Sequence, residues 1–196
     1  MDIIAGQRVG EVMVSHSQRI EAQCYDLHGA PPLGALLRIG SPPAYAVVRE
    51  IWHEALDPSR PLTPRGRNLE TEEEIYAANP QLSAMLTTRF AGLVVGFGAG
   101  PTVRFGLPPQ PPNLHAFVFA CDSDETAAFT NDLGWMRLLL TDGSPAVDSA
   151  LAGFLRRSAA VVADRQGFLL RAGRTLAAEL SRDPQRLQAI LRETTT

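Results

Sequence analysis

Side chains able to do chemistry are present in this sequence, but their spacing does not join them into a catalytic set. The four histidines, His16, His28, His53 and His115, show neither HxH nor HExxH spacing, so nothing in the order of the chain points to metal ligation. Ser15, Ser17, Ser41 and Ser83 lack the GxSxG setting that exposes a hydrolase nucleophile. Cys24 and Cys121 lie far apart and read as buried free thiols rather than a disulfide or zinc pair. Gly96, Gly98 and Gly100 form a GxGxG. A dinucleotide loop needs a helix next, whereas Thr102-Val-Arg-Phe105 reads as a strand, so a hairpin is expected. All 18 basic residues are arginine. That removes Schiff-base chemistry, a lysine general base and the phosphate-gripping lysine of a P-loop. The residues therefore predict no catalytic, metal-binding or cofactor-binding site.

Charge is distributed unevenly. From Gly153 onward the chain carries Arg156, Arg157, Arg165, Arg171, Arg174, Arg182, Arg186 and Arg192. Against them stand Asp164, Glu179, Asp183 and Glu193, so eight minus four leaves about +4 on a molecule of net charge −3. Arg156, Arg157, Arg165, Arg171, Arg174, Arg182 and Arg186 could contact DNA phosphates, dock an acidic protein, or form a solvated helix face. Glu70, Glu72, Glu73 and Glu74 leave a similar choice between a basic partner, a metal and the acidic opening of a helix.

The elements that must position these residues change character along the chain. Short alternating segments come first: residues 8–14, 19–25, 34–39 and 44–52, separated by Gly- and Pro-rich turns. Residues 90–97 and 102–105 add two more, giving about six strands, enough for a small barrel. Between them lies a helical insertion at 70–88. Thr71 with Glu74 should open its first helix, and Asn79-Pro80 should end it and open a second carrying Leu82, Met85 and Leu86.

The last third has helical periodicity. Asp122 with Glu125 forms a capping box, followed by Phe129, Leu133, Met136 and Leu140 at the spacing of one helix. Ser144-Pro145 and Asp183-Pro184 open two more, with a break expected near Gly167. Between the halves stand Pro108, Pro109, Pro111 and Pro112. They are too stiff for a flexible linker, and the apolar LHAFVFAC follows them directly, so they read as a rigid joint, with LHAFVFA expected as a further strand packed on the barrel. The expected fold is α+β: a β-barrel over 1–113 and a mainly helical region over 114–196. No run is long enough to cross a membrane and the opening residues lack the form of a leader, so a cytoplasmic location is expected.

Several phrases taken together resemble a known family. RVGEVMVSHSQRIEAQCYDLHGAPPLGALLRIG, YAVVREI, NPQLSAMLTTRFAGLVVGF and LPPQPPNLHAFVF are similar to stand-alone HAS-barrel proteins of bacteria. The same barrel occurs in HerA-type hexameric DNA translocases and in the head subunits of rotary ATP synthases. The resemblance covers roughly residues 7–140. It implies a non-catalytic accessory or assembly protein, because the ATPase core is missing. It also implies docking onto a HerA-like ATPase and/or a NurA-like nuclease in DNA-end processing and repair, within an oligomeric assembly of the hexameric kind. DNA would then be an indirect partner. The alternative is a DNA-binding module that uses the C-terminal arginines.

Overall fold

The computed structural model describes residues 6–100 and 102–195. Alternation sets the first hairpin. In β1 (Arg8–Ser15) and β2 (Arg19–Cys24), Val9, Val12, Ile20, Ala22 and Cys24 are all buried, and polar neighbours face outward. A shift of register between Val12 and Val14 breaks the pattern at Met13, which is exposed. The other strands are β3 (Leu36–Ile39), β4 (Ala44–Ala55), β5 (Leu86–Ala99), β6 (Thr102–Arg104) and β7 (Phe117–Ala120).

The strands form one antiparallel seven-stranded sheet, in the order β2-β1-β7-β3-β4-β5-β6. An additional β2–β5 pairing closes a circuit that runs β1, β2, β5, β4, β3, β7 and back to β1. β6 stands outside this circuit and extends β5 as a hairpin, with Gly98 opposite Val103 and Gly100 at φ +66°. The GxGxG is thus part of a strand and its turn. β7 is the further strand expected in LHAFVFA, and it, rather than residues 102–105, completes the circuit. It lies beyond residue 113, and Val118 and Ala120 are buried inside the circuit. Pairings close together in sequence are legible; the β7 pairings span about 110 positions to β1 and about 80 to β3, and leave no local trace.

Two cores share the strands. Val12, Ile20, Leu37, Val48, Phe90 and Val118 belong to the core inside the circuit. Leu36, Val47, Leu93 and Val95 face the opposite way and meet the helices. Over these stretches β3, β4 and β5 are covered on both sides, which is why they read as continuous apolar runs instead of alternating ones.

Seven helices are present among the described residues: α1 (Glu72–Ala78), α2 (Leu82–Met85), α3 (Ser123–Phe129), α4 (Met136–Leu140), α5 (Pro145–Val161), α6 (Arg165–Glu179) and α7 (Pro184–Thr195). None is long and apolar enough to cross a membrane. α5 is the hub: it packs against β4 and against α3, α4, α6 and α7, with Val147, Ala150, Leu151 and Phe154 fully buried.

Four local expectations need correction. The helix expected from Asp122 through Leu140 is two helices. The capping box of Asp122 and Glu125 is present, but Asp132 accepts the Gly134 N–H in a tight turn, and that turn drives Trp135 into the core. Asn79 closes α1, its amide donating to the Ile75 carbonyl, and does not open α2. Leu86 begins β5 rather than ending a helix. Gly167 lies inside α6, where its N–H donates to the cap residue Asp164, and the break falls at 162–164.

Arg49 of β4 reaches Asp142 at the end of α4, 3.0 Å away, and ties sheet to helices. Hydrogen bonds from Ser144, and then the Arg49 guanidinium, hold the Asp142 carboxyl below its ordinary range. A folded pKa below the unfolded one means that the stabilisation is complete at neutral pH and fades as pH falls through the acidic range of the folded carboxyl. Asp142→Asn should therefore lower stability at pH 7 by at most about 1 kcal/mol, since the pair is partly solvated. The difference from the parent should shrink toward pH 3, a convergence that urea titrations at pH 7, 5 and 3 would check.

Candidate functional site

The potentially reactive side chains are placed apart. Cys24 lies within the strand circuit, where burial pushes its thiol up to about 12, and burial likewise raises Cys121 on the helical side. Both are free. At neutral pH neither supplies a thiolate nucleophile. Among the described residues no three His, Cys, Asp or Glu side chains gather where they could hold a metal ion. His28 and His53 do meet, ring centroids 4.7 Å apart, and buried Thr88 organises both. Its hydroxyl oxygen accepts the His28 backbone N–H at 2.7 Å and lies 2.9 Å from His53 Nδ1. The contact pins the turn after β2, with His28 at φ +65°, to the β4–β5 arm.

The C-terminal arginines divide into two groups. Arg186 grips both oxygens of Asp148 and donates to the Leu140 carbonyl, so it locks α7 onto α5 and α4. Arg156 donates to the Glu193 carbonyl, and Arg157 reaches toward the Leu33 carbonyl. These three hold the fold. Arg165, Arg171, Arg174 and Arg182 are exposed and make no ion pair among the described residues. Of these, Arg171 and Arg174 share the outward side of α6 with Leu170, which is 56% exposed.

The acidic segment before α1 is explained locally. Thr71 accepts the Glu74 N–H, the Glu74 carboxylate accepts the Glu70 N–H, and the remaining acids begin a helix.

The proline segment has the most developed surface. Pro108, Pro109, Pro111 and Pro112 run from β6 to β7. Their far end is stitched to β1: Ser15 Oγ donates to the Pro112 carbonyl, the His115 N–H donates to Val12, and the Val12 N–H donates to Ala116. Opposite them stand the β3–β4 turn, with Pro42 and Pro43, and the end of β5 at Phe97. A groove of about 1030 Å³ lies between, floored by Ile39, Ala44 and Ala116. Leu114 (61% exposed) and Phe117 (45%) stand at its side.

Beside the groove, Glu11 accepts from Tyr25 Oη at 2.8 Å and faces His115 Nδ1 at 2.9 Å. The Tyr25 bond, then the His115 bond, hold the Glu11 carboxyl below its ordinary range. The Arg8 guanidinium lies over Phe117 at 4.4 Å and Tyr25 at 5.2 Å. An apolar cleft flanked by ordered Arg, Tyr and Phe side chains has the composition of an interaction hot spot. No spacing rule links Arg8, Glu11, Tyr25, His115 and Phe117 in sequence; β1–β2 and β1–β7 pairing brings them together. No protein-family model matches the chain, and no curated protein matches it.

Proposed function

We propose that this chain is a non-catalytic docking subunit built on a HAS-type barrel, serving a HerA-like ATPase and NurA-like nuclease in DNA-end processing. One observation carries the reading. The segments that resemble HAS-barrel proteins supply β1 to β5 and β7, and these six strands pair in a closed antiparallel circuit. The helices cover one side of the strands, leaving the proline groove and its Arg8–Tyr25–Phe117 flank as the surface that a partner would engage. Docking through aromatic and arginine anchors beside an apolar cleft needs no chemistry from the chain itself.

The full chain, mixed with a purified HerA-like ATPase or NurA-like nuclease at micromolar concentration, is expected to elute with one of them as a stable complex. Failure to associate with either would overturn the reading. Direct DNA binding is the second reading, favoured by Arg171 and Arg174 on the outward side of α6. It requires binding that weakens steeply with salt and is lost when both become alanine.

A further inference from the structure

The connection from β4 to β5 carries a second concave feature, remote in chemistry from the proline groove. Residues 56–71 form neither strand nor helix. Ordered stretches of that length are uncommon in compact domains and are usually functional. This one is seated closely on α1: a Cβ at Gly66 would stand 2.7 Å from Ile75 Cδ1. The loop, α1 and α2 enclose a pocket of about 350 Å³. Its walls are apolar, built from Leu56, Pro61, Leu62, Ile75, Leu82 and Met85. Leu56 and Leu62 are 49% and 55% exposed, an arrangement that leaves apolar surface unburied at the opening.

The charged groups lining the pocket are Asp57, Arg60 and Arg65. Asp57 is already committed: it accepts the Ser59 N–H and hydroxyl and pairs with Arg60 at 3.3 Å. Arg65 donates to the neutral Asn79 side chain at 3.0 Å and makes no ion pair among the described residues. Two cations against one carboxylate leave the lining with a charge of +1. Asn79 is itself fixed by its bond to the Ile75 carbonyl, so the Arg65 fork is held in place with most of its donors unspent.

We propose that this pocket binds a small amphipathic anion: an apolar body ending in a single carboxylate or comparable anionic group, held by Arg65. At roughly 30 Å³ per water-sized group, the volume admits about a dozen non-hydrogen atoms. Apolar walls with one convergent cation are the lining such a ligand needs. The site is independent of the docking function.

Calorimetric titration of the full chain with decanoate tests it. Decanoate is expected to bind saturably, and decanol, equal in length but uncharged, about tenfold more weakly. Arg65→Gln should lower decanoate affinity about tenfold and leave decanol binding unchanged. Ala84→Phe, at an exposed residue lining the pocket, should abolish binding of both while the thermal melt stays that of the parent. Absence of saturable binding at millimolar decanoate would overturn the proposal. So would equal affinity for decanol, decanoate affinity unchanged by Arg65→Gln, or binding that survives Ala84→Phe.

Discussion

Gly34→Ala is expected to destabilise the protein by about 3 kcal/mol or more, the sum of a strained backbone and a backbone clash. Gly34 has φ +77°, a conformation that side chains rarely adopt. A Cβ there would lie 2.6 Å from the Ala150 carbonyl oxygen and 2.6 Å from the Phe154 nitrogen, both backbone atoms of α5. The helix cannot yield by changing a rotamer. It would have to move off the strands, and the Gly34 N–H to Val48 carbonyl bond of 2.8 Å would move with it. For a chain of this size the melting temperature should fall by roughly 6–12 °C. Gly173→Ala is the matched control: it lies in α6, nothing stands within 4 Å of its Cβ position, and it should gain about 0.5–1 kcal/mol. Equal melting temperatures for the two variants would contradict the seating of α5 on the β3 approach.

Trp135→Ala should cost about 3–5 kcal/mol, the range for emptying a large aromatic site. Trp135 is fully buried, and its ring centroid lies 4.6 Å from that of Phe154 on α5. Through Phe154 it adjoins Phe129, which also touches Tyr45 and Phe105, so the ring cluster joins α3, α5 and the strands. Its Nε1–H has no acceptor among the described residues. Trp135→Phe removes that unpaired donor while leaving a smaller void, and the two effects oppose each other. The phenylalanine variant should stay within about 1.5 kcal/mol of the parent, in clear contrast to alanine. Urea unfolding of both would show whether ring volume, rather than indole hydrogen bonding, holds this core.

What the sequence revealed depended on how local each signal was. Ile20, Ala22 and Cys24 announced β2 by alternation, and Asp122 with Glu125 announced α3 by its cap. The turn at Asp132–Gly134 was masked by the helical spacing of Phe129, Leu133, Met136 and Leu140 on either side of it. β7 was legible as a strand in LHAFVFA, but its place was not, because its partners Leu37 and Gly10 lie far away in sequence. The arginines illustrate the same limit. Arg186 and Arg171 look alike in the chain, yet Arg186 meets Asp148 across two helices and Arg171 faces outward. Likewise, the groove beside the prolines exists only once the β3–β4 turn stands opposite them.

The docking account rests on the proline side of the strands as the engaged surface. Its most direct test is the affinity of the full chain for a purified HerA-like ATPase and for a purified NurA-like nuclease, each measured beside a Phe117→Asp variant whose melting temperature matches the parent. Phe117 is exposed at the groove and lies under Arg8, so the substitution removes an anchor without emptying a core. Saturable binding by the parent, weakened at least about tenfold in the variant, is the predicted result. Equal binding by parent and variant, or no binding of the parent to either partner, would contradict it.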